Sequence, residues 1–395
     1  MTRAHHPLES VSVSGFRSAH DVTLNPGPLT ALIGAAGSGK SNLLVAIWKL
    51  LGSQEPPVVS SDHSLDGAQR VEIQAVLSSG GTVRLESARH EAGERRSGRP
   101  PATLFLPASA RADGLVAEGT PLPEPVSFAL GASHSPALAL LPLIERSLAQ
   151  GTSGSVLMIE EPELFLRPQA QRALYRLLRE FSSHGNQVLY STHAATFLNV
   201  SRLEEIALVE RDEGGLTSIR RPRPLPHEEA FRALSEFDAE RSELLLARAA
   251  LLVEGRTEKL VFPFLYRALG FDADREGISI VECGGKPNIP LIAEVCNVVG
   301  IPYLVVHDRD ADAGRRPISS EIAANEAIRR VAGPQRTIEL ARDFEAVARL
   351  HGHRHKPERA WHWVEFARSE ADVPEILREV VRRSVALARN GSATT

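Results

Sequence analysis

Short apolar runs and alternating apolar and polar positions predict strands throughout the first half of the chain. The predicted strands are 11–16, 22–24, 29–33, 71–77, 83–86, 103–106, 156–159 and 187–190. Apolar residues recur at helical spacing over 41–51, 136–149 and 168–182, which predicts helices there. Apart from 103–106, the stretches 88–125 and 214–226 are rich in turn residues and arginine, and we interpret them as surface loops.

Strands and helices alternate regularly in the second half of the chain. After a helix over 230–249, the predicted strands are 251–254, 278–282, 301–307 and 337–340, and the helices between them are 258–269, 289–299 and 319–331. Such alternation predicts a small parallel α/β sheet. We therefore predict one domain over 1–235, a linker helix over 236–247 and a second domain over 248–395.

The composition is that of a globular protein, with 395 residues, 43% hydrophobic residues and a net charge of −4. No apolar run is long enough to span a bilayer, and the first residues do not resemble a secretory signal. Cys283 and Cys296 are too few for a disulfide framework. We expect a cytoplasmic protein without a membrane partner. A near-neutral charge neither indicates nor excludes DNA binding.

The segment from Gly34 to Ser41 fits the phosphate-binding pattern G-x-x-x-x-G-K-[ST], and it lies between a predicted strand and a predicted helix. Gly34, Gly37 and Gly39 allow backbone N–H groups to face phosphates. Lys40 is expected to reach the β and γ oxygens, and Ser41 to bind Mg²⁺ through its hydroxyl. These residues predict an ATP site.

Two further features follow predicted strands in the same domain. The apolar run 156–159 ends in Glu160 and Glu161, and we assign Glu160 to the magnesium ion and Glu161 to the general base of ATP hydrolysis. His193 follows the next strand and is predicted to reach the γ-phosphate. Taken alone, an acidic pair is more often a solvated helix start, and a single histidine is often a capping or core residue.

The motifs GAAGSGKSN, VLMIEEPE with LFLRP after it, and STHAATFL together resemble an ABC-type ATPase head of the SMC and RecF sort, over 8–209. The resemblance implies ATP binding and hydrolysis, and a homodimer or higher homo-oligomer through the heads. The sequence departs from the pattern because its nearest signature motif, Leu-Gly-Ala-Ser at 130–133, is degenerate and no Q-loop glutamine stands out.

The second domain places acidic residues where its predicted strands end. Glu254 and Glu258 lie in the pattern E-G-x-T-E, and Asp308 and Asp310 lie in the pattern D-x-D. Glu345 belongs to a third element, Asp-Phe-Glu. Ligands bind at this edge of open α/β sheets, and clustered carboxylates suit Mg²⁺ or Mn²⁺ better than zinc. The alternative for 308–312 is a solvated turn.

In this order, with the glycine pair at 284–285 between them, the acidic motifs resemble a Toprim domain. An ATPase head followed by Toprim resembles the OLD family of ATP-dependent nucleases, over most of the chain. The resemblance implies a two-metal site, and it assigns as metal ligands Glu254, Glu258, Asp308, Asp310 and Glu345. It also assigns Lys356 as the catalytic lysine. Lys286, one of only five lysines, is expected to contact phosphate.

We therefore predict an α/β protein with an N-terminal ABC-type P-loop ATPase domain and a smaller parallel-sheet Toprim domain. Its predicted function is an ATP-regulated, Mg²⁺- or Mn²⁺-dependent DNA endonuclease or nickase in anti-phage defence or DNA processing, with a helicase-like protein as a further partner. One alternative is a non-nucleolytic ATP-dependent DNA clamp or sensor. Another is a topoisomerase, which needs a nucleophilic tyrosine. The arginines expected to meet DNA are Arg89, Arg95, Arg96, Arg99, Arg220, Arg221 and Arg223.

Overall fold

The chain folds into two compact units, Met1–Pro222 and Arg223–Thr395. The computed structural model describes residues 6–52, 58–63, 68–89, 94–108, 140–225, 239–309, 319–341, 343–348 and 356–391. Within these ranges no helix is both long and apolar enough to cross a membrane.

The first unit contains two sheets. Its strands are β1 (Leu8–Phe16), β2 (Ala19–Leu24), β3 (Leu29–Ile33), β4 (Arg70–Leu77), β5 (Thr82–Ala88), β6 (Glu94–Ser97), β7 (Thr103–Leu106), β8 (Val156–Glu160), β9 (Gln187–Ser191), β10 (Ile206–Arg211) and β11 (Thr217–Arg220). Its helices are α1 (Lys40–Leu51), α2 (Leu140–Gln150) and α3 (Pro168–Ser183). One sheet is antiparallel in the order β2-β1-β4-β5-β6, and the other runs β11-β10-β3-β9-β8-β7 with only β11 antiparallel.

Helix α1 packs into a core that both sheets share. Leu43 and Ile47 of this helix are buried among apolar side chains from β1, β4, β8 and β9. Gln187 joins the two sheets directly, because its side chain accepts a hydrogen bond from the Leu8 N–H (2.9 Å) and donates one to the Leu8 carbonyl (3.1 Å). The turn before α1 is therefore supported by a helix that packs against both sheets.

The structure confirms the predicted strands of the first unit and adds β6, β10 and β11, of which β6 and β11 lie in segments that the sequence analysis interpreted as loops. Strand β6 pairs with β5 at the edge of its sheet, and all four of its side chains are at least partly exposed. It has no apolar alternation for a pattern to detect, because its backbone pairing rather than burial places it in the sheet.

The second unit is built on a parallel sheet in the order β13-β12-β14-β15, as the alternating pattern predicted. Its strands are β12 (Ala249–Val253), β13 (Ile278–Glu282), β14 (Tyr303–Asp308) and β15 (Thr337–Leu340). Its helices are α4 (Ala239–Ser242), α5 (Arg256–Ala268), α6 (Ala273–Glu276), α7 (Ile289–Val299), α8 (Ser319–Ala332), α9 (Phe344–Val347), α10 (Lys356–Phe366) and α11 (Glu375–Gly391). Where the pattern predicted one helix over 230–249, the described part has α4 and a 3₁₀ turn, Glu243–Leu246.

The sheet of the second unit is buried on both faces. Leu251 and Val253 of β12 pack with Phe262 of α5 and Val381 of α11 in one core. Leu252, between them, is also fully buried but points to the opposite face. Burial on both faces explains the continuous apolar runs of this sequence. Because all four strands are parallel, their carboxyl ends lie at one edge.

Candidate functional site

The turn between β3 and α1 carries the predicted phosphate-binding motif. Gly34, Gly37 and Gly39 have φ angles of 153°, 80° and 108°, a region that favours glycine. A Cβ atom at Gly34 would lie 2.0 Å from the Val209 carbonyl oxygen, and one at Gly39 would lie 2.1 Å from Thr217 Oγ1. Glycine is therefore required by both backbone and space, and the turn leads into the N-terminus of α1, which favours anions.

The side chain of Lys40 is held inside this turn. Its ammonium donates hydrogen bonds of 2.9 Å to the carbonyls of Gly34 and Ala35, and the residue is 6% exposed. Burial lowers the pKa of Lys40, and the nearby charge of Glu161 opposes that effect. Ser41 lies on the first turn of α1 and is exposed. The turn thus presents a fixed positive charge beside an accessible hydroxyl.

Glu160 and Glu161 lie where β8 ends. Glu160 Oε2 accepts the N–H of Ala108 at 3.1 Å, whereas Glu160 Oε1 is buried and accepts no hydrogen bond from the described residues. Glu161 has a φ of 46°, and its N–H donates to the Ser191 carbonyl at 2.9 Å. A buried carboxylate oxygen without a donor is costly, and an oxygen-seeking cation such as Mg²⁺ would satisfy it.

His193 is exposed just beyond β9, and a residue that the sequence analysis missed holds its backbone. Glu163 Oε1 accepts the His193 N–H at 2.7 Å. Burial raises the pKa of Glu163, the hydrogen bond from His193 lowers it, and the charge of Glu161 raises it. The only signal in the sequence is a third acidic residue in Glu-Glu-Pro-Glu, since its partner lies 30 residues away.

We expect Glu163→Ala to lower kcat for ATP hydrolysis by about 10–100-fold, because the loop that carries His193 loses its anchor. The affinity for ATP should change by less than about threefold, since the phosphate-binding turn keeps its own contacts. Steady-state ATPase assays and titration with a fluorescent ATP analogue measure the two quantities. Glu163→Gln is the matched control: it keeps an acceptor oxygen and should retain most of the rate. Equal losses in both variants would contradict an anchoring role.

The hairpin of β10 and β11 also touches the phosphate-binding turn. Thr217 Oγ1 donates to the Ser38 carbonyl at 3.0 Å, and Arg211 Nη1 donates to the Gly37 carbonyl at 3.3 Å. These pairs are 179 and 174 residues apart in the chain, so no local pattern could reveal them. The hairpin thus holds the second half of the turn, at Gly37 and Ser38, whereas Lys40 holds the first half through the carbonyls of Gly34 and Ala35.

The second candidate site lies at the carboxyl edge of the parallel sheet. Glu254 directly follows β12, and Asp308 is the last residue of β14, beside it in the sheet. The Asp308 N–H donates to Glu254 Oε2 at 3.4 Å. Neighbouring parallel strands thus bring together two acids that are 54 residues apart in the chain.

Two more carboxylates complete what we call the acidic cluster, defined as Glu254, Glu258, Asp308 and Glu345. Glu258, on the first turn of α5, and Glu345, on α9, are each 6% exposed. Burial, with the charges of Glu254 and Glu345, raises the pKa of Glu258 to about 7. A Cβ atom at Gly255 would lie 3.5 Å from Glu258 Oε2, so the chain passes close to this carboxylate. The cluster is crowded with negative charge.

Not every predicted site residue falls in the described part. Asp310 and the residues at 130–133 lie outside it. Lys356 is the first residue of α10, but its side chain is not among those that the structure describes. Asp343, next to Glu345 in sequence, caps α9 by accepting the Ala346 N–H at 2.6 Å. Among the described residues no group of three or more histidine, cysteine or acidic side chains already has the spacing of metal ligands.

Lys286 lies inside the second site. It is 5% exposed, and its Nζ donates to the Asp308 carbonyl at 2.5 Å. The same nitrogen is 3.9 Å from Glu254 Oε2. The structure directs this ammonium toward the acidic cluster, and the phosphate contact expected from the sequence stays a prediction.

Several of the arginines expected to meet DNA have partners within the protein. Arg221 donates to the carbonyls of Asn25 and Glu204, and burial lowers its pKa while the charge of Glu204 opposes that effect. Arg96 donates to the Gly52 carbonyl at 2.9 Å. Such contacts give these two side chains a structural role.

We expect Arg221→Ala to destabilise the first unit by about 1–3 kcal/mol, because the half-buried guanidinium and its hydrogen bonds to two carbonyls are lost. Arg223→Ala, at an exposed position two residues later, should change the free energy of unfolding by less than about 0.5 kcal/mol. Urea unfolding followed by the fluorescence of Trp48, on α1, measures both variants. Equal stability of the Arg221 variant and the wild type would contradict the structural role.

Two family profiles match this chain. Residues 245–310 match the profile described as "Overcoming lysogenization defect protein-like, TOPRIM domain". Residues 136–199 match a profile described as an AAA domain (AbiEii toxin, Type IV TA system). The first match spans β12 to β14 and includes Glu254, Glu258 and Asp308, and the second contains Glu160, Glu161 and the loop of the predicted γ-phosphate contact.

Curated relatives agree with both matches. The OLD nuclease of Thermus scotoductus is 36% identical over 223 residues, which are 50% of this chain and 41% of that protein. The Old nuclease of Escherichia phage P2 is 29% identical over 205 residues, 49% of this chain and 35% of that protein. The chain thus matches less than half the length of either relative. The Hemin import ATP-binding protein HmuV of Pseudomonas fluorescens is 30% identical over 185 residues, 43% of this chain and 68% of that protein.

A P-loop unit of the ABC ATPase type joined to a Toprim unit defines the class of this protein. The Toprim profile covers three of the four strands of the parallel sheet, β12, β13 and β14, with the acids that follow β12 and end β14. The second unit matches the OLD-like Toprim profile, and the chain is similar to two curated nucleases of the OLD, or overcoming lysogenization defect, type.

Proposed function

We propose that this chain binds and hydrolyses ATP and cleaves DNA with divalent metal ions held by the acidic cluster. The observation that carries the proposal is the electrostatic coupling of the buried Glu258 to Glu254 and to the buried Glu345, with Asp308 beside Glu254. These residues come from three separate parts of the sequence, since Glu254 and Glu258 follow β12, Asp308 ends β14 and Glu345 lies on the helix after β15. Such a site is suited to oxygen-binding cations that handle phosphate.

The residues of the cluster fit divalent cations. The raised pKa of Glu258 reflects burial and unrelieved repulsion from Glu254 and Glu345, which a bound cation would relieve. Asp310, two residues after Asp308 in the sequence, would add a ligand. When bound, two such cations activate water and stabilise the leaving oxygen of a phosphodiester. Lys356 would neutralise the charge of the pentavalent phosphate.

The first unit supports ATP hydrolysis in this proposal. Lys40 binds the β and γ phosphates, and Ser41 and Glu160 hold Mg²⁺, for which the donor-free Oε1 of Glu160 is suited. Glu161 acts as the general base for the attacking water. His193 contacts the γ-phosphate from the loop that Glu163 anchors.

The assembly and biological setting belong to the same proposal. Two copies would join through their ATPase units, and a helicase-like protein would act with them on DNA. Cleavage would take the form of nicks or double-strand cuts, in the cytoplasm, in anti-phage defence or DNA processing.

A plasmid assay tests the proposal. Supercoiled DNA incubated with the purified chain and Mn²⁺ or Mg²⁺ should give nicked or linear products, none of which should form with EDTA. Parallel reactions with and without ATP, repeated with Lys40→Ala, measure how the nucleotide controls cleavage. DNA that is retained in the presence of ATP but stays intact with Mg²⁺, Mn²⁺ and Ca²⁺ would instead support the clamp or sensor.

A further inference from the structure

A buried positive charge accompanies the acidic cluster of the second unit. The Nζ of Lys286 contacts the Asp308 carbonyl and lies 3.9 Å from Glu254 Oε2. Lysine is rarely this buried unless it is paired, since an ammonium that leaves water loses its hydration. The position of this ammonium therefore matters to the energetics of the cluster.

The backbone around Lys286 is shaped to place it there. Gly284 and Gly285 follow β13 with φ angles of 72° and 111°. The Gly285 N–H donates to the Glu254 carbonyl at 2.9 Å, which pins this exit against the end of β12. Lys286 then opens a 3₁₀ turn, Lys286–Asn288, whose first side chain points toward the end of β14. Two left-handed residues in succession are needed for this path.

The contacts of Lys286 fall on groups that the proposed function assigns to metal binding. A charge 3.9 Å from the Glu254 carboxylate repels a divalent cation that binds the same carboxylate. The Asp308 N–H donates to the same carboxylate oxygen of Glu254, so the carboxylate keeps a donor if the lysine is removed. Removing the charge should thus change the electrostatics of the cluster more than its geometry.

We propose that Lys286 is a built-in counter-cation that weakens the divalent-metal affinity of the acidic cluster and so makes metal binding depend on the phosphates of a bound polynucleotide. The inference rests on the proposed nuclease function and specifies how its metal site is regulated. Net ligand charge tunes the affinity of carboxylate sites for divalent cations. With one positive charge already in place, the cluster holds a cation weakly until the negative charge of the substrate is added.

Direct metal titration tests this role without measuring cleavage. Isothermal titration calorimetry of the full chain with Mn²⁺, in the absence of nucleic acid, measures the affinity for the cation. The binding that is lost in Asp308→Asn is the binding at the acidic cluster. Lys286→Gln removes the charge but keeps a donor for the Asp308 carbonyl, and we expect it to bind Mn²⁺ about tenfold more tightly. Lys286→Arg keeps the charge and should stay within about threefold of the wild type. Lys259→Gln, which removes a charge paired with Glu240, is the matched control and should also stay within that range.

A DNA oligonucleotide supplies the second measurement. Adding it should increase the Mn²⁺ affinity of the wild type more than that of the Lys286→Gln variant. Unchanged or weaker Mn²⁺ binding by Lys286→Gln, or tighter binding by Lys259→Gln to the same extent, would overturn the role of Lys286. If Lys286→Gln does not fold, Lys286→Met, refolded with Mn²⁺, gives the same comparison. If neither variant folds even with Mn²⁺, Lys286 contributes to stability and the proposal is overturned. Mn²⁺ binding that Asp308→Asn leaves intact would overturn the metal site itself, and with it the proposed nuclease.

Discussion

Asp308→Asn is expected to lower DNA cleavage by about a thousandfold while ATP hydrolysis stays within about threefold of the wild type. The substitution keeps the size of the side chain and removes one negative oxygen ligand. The backbone contacts of Asp308, among them its N–H to Glu254 and its carbonyl to Lys286, do not depend on the carboxylate. A loss of activity would therefore report on metal binding rather than on folding. Each tenfold loss of rate corresponds to about 1.4 kcal/mol of lost transition-state stabilisation. A metal ligand contributes several kcal/mol of this stabilisation through the cation that it holds.

Nicking of supercoiled plasmid, quantified over time with Mn²⁺, measures the loss. Asp274→Asn is the matched control, since Asp274 is an exposed acid on α6 outside the acidic cluster, and this variant should cleave at the wild-type rate. ATP hydrolysis is measured on the same preparations. An Asp308→Asn variant that keeps more than about a tenth of the cleavage rate would remove Asp308 from the metal site.

Features encoded in one short stretch could be predicted from the sequence. The phosphate-binding turn needs three glycines and a lysine within eight positions, and the structure gives each glycine the left-handed backbone that this pattern requires. The strands of the parallel sheet are buried on both faces, so they appear as apolar runs that end in acids. Their carboxyl ends meet because the sheet is parallel, which the alternation with helices had indicated.

Features that depend on distant partners could not be predicted. The Asp-Phe-Glu element offers two acids of equal appearance, yet Asp343 caps α9 while Glu345 is buried near Glu258. Sequence alone also could not direct the ammonium of Lys286, because its partners Glu254 and Asp308 are 32 and 22 residues away. Such roles are set by packing between elements, and each side chain alone is compatible with several of them.

The crowding of charge in the acidic cluster also has a consequence for stability. The pKa of Glu258 is raised from 4.5 to about 7, so between these values the folded chain binds a proton that the unfolded chain releases. The free energy of unfolding of the metal-free protein should therefore fall as the pH rises through this window, by up to about 3 kcal/mol. Glu258→Gln cannot ionise and should escape this loss. We expect the variant to match the wild type near pH 5 and to exceed its stability by about 1–3 kcal/mol near pH 8.

Urea unfolding in EDTA at the two pH values measures the difference, and Trp361 and Trp363 on α10 report on the second unit. Glu294→Gln, on α7, is the control and should show no such gain at the higher pH. Adding Mn²⁺ near pH 8 should reverse the order, because the cation stabilises the ionised Glu258 and the variant lacks that ligand. If Glu258→Gln exceeded the wild type in free energy of unfolding by the same amount at both pH values, the protonation of Glu258 would not be the cause. The burial of this side chain would then have a purely structural origin.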